Sequence, residues 1–550
     1  MSKDVLENSR FAVNPVDIDI RRSTFNRPFT HKTTFNAGKL IPLYWDEVLP
    51  GDTRSIDISQ VTRMTTPILP VMDNAYIDFA AYFVPMRLVW EHTKEFFGEN
   101  TSTYWTPSVT YTIPQVTSPS GGWNVGTIAD YMGIPTGVAN LSVSALPFRA
   151  YALIYNEWYR DQNVQTPLYL IKGDSTTTGS NGNTYVNDVY KGGEPVPVAK
   201  FHDYFTSCLP APQKGPAVNL PLGTTAPVVG NGKALGLSNG SNNYVPKQGG
   251  SSSIDLGAFV TASLPTTTSG TAASTNQAFG VTTDATKSGL IADLSTATAA
   301  TINQLREAFQ IQRLYEKDAR GGTRYRELIH SHFGVTSSDA RMQVPEFLGG
   351  KRIPINMTQV AQTSSTDSVS PQGNVAAFSL TGSSDNLFVK SFEEHGFIFI
   401  MGYVRTDNTY QQGLERSWSR TRRFDYYWPT LANLGEQAVL NKEIYCQGNS
   451  TTDNQVFGYQ EAWADYRYKP SRVSGKMRSS ATGTLDAYHY ASNFSSLPTL
   501  SANFINESDA NVQRTLAVSG EPQFIIDFAV RDKATRVMPM YSIPGLVDHH

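Results

Sequence analysis

Two acidic residues, a Pro-Gly turn and a third acidic residue stand close together in "DEVLPGDTRSIDIS", residues 46–59. Asp46, Glu47 and Asp52 offer oxygen ligands on a tight turn, which is compatible with Ca²⁺. The simpler reading is architectural: turn carboxylates that keep a strand end wet, facing solvent or a neighbouring subunit. Other candidate groups fail on geometry. His330 and His332 lie at i and i+2 of a helical pattern and point apart, so they cannot chelate from one face. Glu393 and Glu394 precede an apolar run and, adjacent on a strand, project to opposite faces. The terminal Asp548, His549 and His550 read as a tail. Phosphate-loop, nucleophile-elbow, zinc-protease and CxxC motifs are missing from the sequence.

Basic residues interleaved with aromatics are more informative. "RSWSRTRRFDYYWP" carries Arg416, Arg420, Arg422 and Arg423 among Trp418, Phe424, Tyr426, Tyr427 and Trp428. "YRYKPSRVSGKMRSS" adds Arg467, Lys469, Arg472, Lys476 and Arg478. The N-terminal "RRSTFNRPFTHK" holds Arg21, Arg22, Arg27 and Lys32 around Phe25 and Phe29. Such patches suit phosphates and stacked bases of a single strand. They equally suit a protein–protein interface, where arginine and aromatics dominate the energetics.

The chain that positions them has 550 residues, 40% hydrophobic, 11% aromatic and only 17% charged, with a formal net charge of -3. No global field draws it to polyanions, so any such contact is local. Cys208 and Cys446 make no disulfide framework and are expected as free thiols, as in a reducing cytoplasm. The first 30 residues are too polar for a signal peptide. "FIFIMGYV", 397–404, is too short to span a bilayer and reads as a buried strand, so no membrane insertion is expected.

The elements read mainly as β. Residues 1–32 look like an extended arm without helical or strand period. Pro50-Gly51 suits a type II turn, followed by Ile56, Ile58 and Val61 on a mostly alternating apolar face. "AYIDFAAYFVPMRLVW" is an apolar strand stopped by Pro85. Short helices follow, one opening at Pro147 with Tyr151, Ile154, Tyr155, Trp158 and Tyr159 on one stripe. Residues 213–300 lack Trp, Arg and Glu and hold seven charged residues. They read as a surface-exposed insertion with short strands at "VVGNGKALGLS" and "SIDLGAFVTASL". A helix capped by Thr301 and Gln304 places Ile302, Leu305, Phe309, Ile311 or Gln312, and Leu314 on one face. A second helix closes at Gly334. Strand signals return at 352–360, 375–380, 395–405, 456–468 and 521–530. The segments are thus 1–32, 33–212, 213–300 and 301–550, with one β-sandwich interrupted by long connections.

"TFNAGKLIPLYWDEVLPGDT", "TPILPVMDNAYIDFAAYFVPMRLVW", "GTRYRELIHSHFGV", "PEFLGGKRIPI", "FGYQEAWADYRYKPSRVSGKMRS" and "RVMPMYSIPGLVDHH" together resemble the major capsid protein of microviruses, small single-stranded DNA bacteriophages, in their gokushovirus branch. The resemblance runs from about residue 20 to 550 and weakens over 213–300. It implies a single eight-stranded jelly roll with very long loop insertions and a few short helices. Sixty copies would build a T=1 shell around circular single-stranded DNA. The insertion would form three-fold protrusions used in host attachment. The implied partners are other copies of the chain, packaged DNA, an internal scaffolding protein, a minor DNA-pilot protein and a host surface receptor. Assembly would take place in the host bacterial cytoplasm, and no cofactor or catalytic residue is expected. Two other classes compete: a β-sandwich receptor- or glycan-binding protein in a small oligomer, and a carbohydrate-active enzyme, which needs two convergent carboxylates.

Overall fold

A computed structural model describes residues 21–100, 109–218, 228–230, 237–238, 243–244, 280–281, 290–292, 302–366, 368 and 371–541. Eight long strands dominate it: β1 Arg22–Phe35, β2 Ile41–Val48, β3 Thr53–Met64, β4 Ala75–Pro85, β5 Glu346–Pro354, β6 Thr381–Ser391, β7 Gly396–Thr406 and β8 Phe524–Val537. They form two antiparallel four-stranded sheets, ordered β1-β8-β3-β6 and β5-β4-β7-β2. The first strand pairs with the eighth, the second with the seventh, the third with the sixth and the fourth with the fifth. That nested pairing is the double Greek key of a jelly roll, the expected fold.

Burial explains the sequence pattern of each sheet. β3 throughout and β8 as far as Ala534 alternate strictly, because one face meets the opposite sheet and the other does not. The inner row of β3 is Arg54, Ile56, Ile58, Gln60, Thr62 and Met64; Val61, expected on that face, is 45% exposed. Gln60 and Thr62 occupy core positions by satisfying each other, the Thr62 hydroxyl donating to Gln60 Oε1 at 2.5 Å. β4 and β7 are apolar almost throughout because both their faces are covered. Ile77, Phe79 and Phe83 face the sandwich core with Ile398 and Ile400. Tyr82, Val84, Phe397 and Phe399 pack outward against α1, Leu146–Ile154, and its surroundings.

α1 departs from the expected stripe. It is buried all round, Arg149 included, and runs into a π-helical turn at Tyr155–Tyr159. The Arg149 guanidinium donates to the Val89 carbonyl at 3.3 Å, and burial pushes its pKa down to about 10. α2, Ile302–Gly321, shows the opposite departure: Ile302, Phe309, Ile311 and Leu314 are exposed. Its proposed cap Thr301 lies outside the described residues. α3, Tyr325–Phe333, closes at Gly334 in the left-handed region. By contacts the chain forms two units, 215–316 and the remainder. In the smaller unit Val228–Gly230 pairs with Leu290–Ala292. Leu237–Ser238 pairs with Asn243–Tyr244 and Gly280–Val281. "SIDLGAFVTASL" lies outside the described residues.

Two corrections concern the first 60 residues. The segment from Arg22 to Lys32, expected as an arm without strand period, is part of the fourteen-residue β1, paired with β8 from Arg22↔Val537 to Phe35↔Phe524. Its alternation is hidden because most of its side chains are polar and exposed, so pairing rather than core burial holds it. Second, of the three turn carboxylates only Glu47 is exposed. Gly51 has φ +84° and the Asp52 N–H donates to the Leu49 carbonyl at 3.0 Å, so the Pro-Gly turn stands. Yet Asp52 and Arg54 are fully buried. Asp52 accepts from Arg536 at 2.6 Å, and Arg54 donates to both Asp532 oxygens at 3.0 and 2.7 Å and also to Asp46. Arg27 donates to Asp46 at 3.0 Å, and the Tyr44 hydroxyl to Asp532 at 3.1 Å. Three guanidinium groups meet three carboxylates where the sheets join. The arginines hold the Asp46 carboxyl below its ordinary value against the opposing effect of burial.

Removing one partner of such a network leaves a buried charge uncompensated. Arg54→Ala is expected to lower stability by about 3–5 kcal/mol in chemical denaturation. Lys32→Ala, which breaks the exposed pair with Asp527, is expected to cost less than about 1 kcal/mol. Equal losses would contradict the role of burial.

Glu507 gives a pH signature. It is 6% exposed, accepts from the hydroxyl of Thr406, the last residue of β7, at 2.8 Å, and burial pushes its pKa up to about 6 despite Lys200 and Arg405. A raised folded value means that its stabilising contribution is present below about pH 4 and lost as pH rises through the folded value. Glu507→Gln is expected to flatten the decline of the denaturation midpoint between pH 4 and 7. An unchanged slope would contradict this assignment.

Candidate nucleic-acid and assembly surface

The long connection from β7 to β8 shares a separate core with the end of the segment that follows β4. Tyr204 and Phe205 of that segment pack with Tyr410, Val439, Ile444, Phe457 and Phe504, with Cys208 buried among them and Cys446 exposed. Glu436–Leu440 pairs antiparallel with Val456–Glu461. Thr409–Tyr410 runs parallel to Ser471–Arg472, which draws the two basic segments together. The expected strand over 456–468 stops at Glu461, where the chain turns into the 3₁₀ helix Ala464–Tyr466.

Between these pieces lies a cleft of about 430 Å³. Arg416, Arg420, Lys469, Arg472 and Arg478 line it with Glu415, Glu443 and Asp465. Five cations face three carboxylates, a surplus of two positive charges. The floor is a buried network. Arg416 donates to the Ala438 carbonyl at 2.8 Å and to Glu443 at 3.2 Å, while Glu443 accepts from the Tyr204 hydroxyl at 2.8 Å. Burial raises the Glu443 carboxyl, with Arg416 opposing. Arg420 pairs with Asp465 and lies over the rings of Tyr466, at 4.4 Å, and Tyr426, at 5.5 Å. At the rim Lys469 and Arg472 share Glu415, each at 2.7 Å, and hold its carboxyl below the ordinary value.

One backbone outlier supports the wall. Trp463 sits at φ +67°, a region costly for a bulky side chain, by about 1–3 kcal/mol. Burial of its ring and donation from Nε1 to the Leu431 carbonyl at 2.9 Å hold it there. The strain aims the next turn, and with it Asp465 and Tyr466, at Arg420.

The structure thus unites five of the sequence-predicted cations and separates the others. Arg422 pairs with Asp425 at 3.2 Å, Arg423 lies over Trp428 at 4.7 Å, and Arg467 pairs with Glu461 at 2.8 Å. Lys476 lies on the exposed turn Gly475–Met477. Around these, Phe424, Tyr426, Tyr427 and Trp428 are exposed. Arg21, just before β1, is exposed; on β1 Arg22 donates to Thr53 at 3.0 Å and Arg27 is spent on the carboxylate cluster. Sequence reasoning missed Glu415, Glu443 and Asp465, which set how much positive charge is left over. Their pairing across the chain gave no local signal.

The remaining candidates have other partners. His332 bonds Asp318 at 2.6 Å and His330 bonds Thr336 at 3.3 Å. Glu394 accepts from Arg87 at 2.6 and 3.0 Å. Asp548, His549 and His550 lie outside the described residues. Among the described residues no group of three or more His, Cys, Asp or Glu side chains is placed to hold a metal, and no helix is long and apolar enough to cross a membrane.

Comparison with known proteins gives one answer. Residues 15–546 match the family model described as "Capsid protein (F protein)". The chain is 43% identical to the capsid protein VP1 of Chlamydia phage 1, covering 98% of both chains. It is 43% identical to that of Spiroplasma virus 4 over 96% of both, and 44% identical to that of Bdellovibrio phage phiMH2K over 95% of both. The chain belongs to the phage capsid protein family whose model is the F protein.

Proposed function

We propose that sixty copies of this chain close into a T=1 icosahedral shell around circular single-stranded DNA. By family the chain is a structural capsid protein of the virion and not an enzyme. Closure into a shell is supported by an eight-stranded jelly roll whose long connections leave large aromatics in water. Trp418 and Phe424 on the β7–β8 connection are 74 and 69% exposed, and Tyr541, after β8, is 78% exposed. A monomer gains nothing from such exposure, whereas subunit contacts use it. Packaged DNA is supported by the cationic surplus of the cleft, a local patch on a chain of net charge -3. Host attachment through 213–300 is supported by its polar, weakly charged composition. Shell assembly in the host cytoplasm with scaffolding and DNA-pilot proteins, and recognition of a surface receptor, follow from the same reading.

Replacing residues 213–300 by a short Gly-Ser linker tests the division of labour. Co-expressed with the phage's other genes, the variant is expected to form closed particles by negative-stain electron microscopy but to lose adsorption to host cells. Failure to form particles would contradict a purely external role for the segment.

A further inference from the structure

Between β5 and β6 the chain leaves the sandwich and returns as a separate two-stranded ribbon, Met357–Ala361 paired antiparallel with Val375–Ser379. Its base is fastened. The Asn356 N–H donates to Thr381 Oγ1 at 2.8 Å, and the Ser379 hydroxyl donates to the Asn356 carbonyl at 2.9 Å. One face turns toward the sandwich: Met357 packs against its core, and Ala377 and Ser379 are buried. The other face is bare. Thr358 stands opposite Phe378 and Val360 opposite Ala376, all four exposed, and Leu380 follows in the same row. Val360, Phe378 and Leu380 are 47, 49 and 44% exposed.

An isolated pair of strands is marginal in water, and free strand edges are commonly guarded by charge or proline. Neither strand of this ribbon carries either, and among the described residues no third strand pairs with it. Such a ribbon gains by being covered, and its chemistry selects what covers it. Asp367 is the one charged residue between Arg352 and Asp385, so the ribbon offers nothing to phosphates or to a charged peptide. A surface that every copy repeats, and that is free of charge, does not repel itself when copies meet around a symmetry axis. We propose that the face formed by Thr358, Val360, Ala376, Phe378 and Leu380 is a contact between subunits, seated against a second copy of this chain. The proposal rests on the shell reading for the supply of copies and names a surface which that reading leaves open.

The test uses the full-length chain co-expressed with the phage's other genes. It reads closed particles by negative-stain electron microscopy, the thermal denaturation midpoint, and photocrosslinks from p-benzoylphenylalanine placed at Thr358. Phe378→Ser and Val360→Lys change exposed side chains, so each should keep the wild-type midpoint. Each should also cut the yield of closed particles by about tenfold. The probe at Thr358 should give a band at twice the chain mass, with both cross-linked peptides from this chain. The proposal is overturned by full particle yield in both variants, or by cross-links confined to one chain. Cross-links to another gene product overturn it too, since they assign the face to a different partner. A midpoint lowered in both variants would make the face part of the subunit's own fold and overturn it as well. The shell reading fails separately. A doubled band without closed particles in the otherwise unaltered chain contradicts the shell and keeps the contact. Closed particles without that band overturn only the contact.

Discussion

Six charged side chains packed where two sheets meet are the constraint on which this structure depends. Arg27 of β1, Asp46 of β2, Arg54 of β3 and Asp532 and Arg536 of β8 converge with Asp52 of the connecting turn. The inner rows of β3 and β8 carry no charge until they reach Arg54 and Asp532. A charge in that row is tolerable only when it is matched. The match needs β2 to deliver Asp46 from the opposite sheet, and the tight Pro-Gly turn to deliver Asp52. Strand register follows, because a slip of one residue would turn Arg54 outward and a core position inward. Both ends of the barrel sequence are tied at this point, so the sandwich cannot close in another order without burying bare charge.

A closed sandwich then frees the connections for other work. The β5-β4-β7-β2 sheet spends its outer face on the helix-bearing connection after β4, which makes β4 and β7 apolar on both sides. The connection between β7 and β8, together with Tyr204, Phe205 and Cys208 from the connection after β4, forms a separate small core, and on it the cationic cleft. The charged cluster in the sandwich pairs its charges with one another, with Arg54 Nη1 left 3.6 Å from Asp52 and without a hydrogen bond. The cleft differs, since its carboxylates leave positive charge over.

How much of this was readable in the sequence depends on the range of the cause. β4 and β7 were legible because double burial writes a continuous apolar run. The Pro-Gly turn and the Gly334 helix stop were legible because both are local backbone requirements. β1 was not, since a polar strand held by pairing has little pattern of its own. β6 was largely missed as well: "TGSSDNLFVKS" has Gly and Ser where a core strand would carry branched residues. The wet-turn reading of Asp46 and Asp52 failed because Arg536 and Asp532 lie nearly the whole chain away. The basic segments were recognised as patches, but only the parallel contact of Thr409–Tyr410 with Ser471–Arg472 makes them one cleft. Whether a given arginine is spent or spare is decided by carboxylates distant in sequence.

The central claim is a closed shell of one protein, and mass answers it most directly. Empty particles purified after co-expression and weighed by charge-detection mass spectrometry should give a single species at sixty times the 60.5 kDa chain, about 3.6 MDa, before any bound scaffold is counted. A preparation that holds only trimers or other small closed oligomers, even with the phage's other gene products present, would contradict the account.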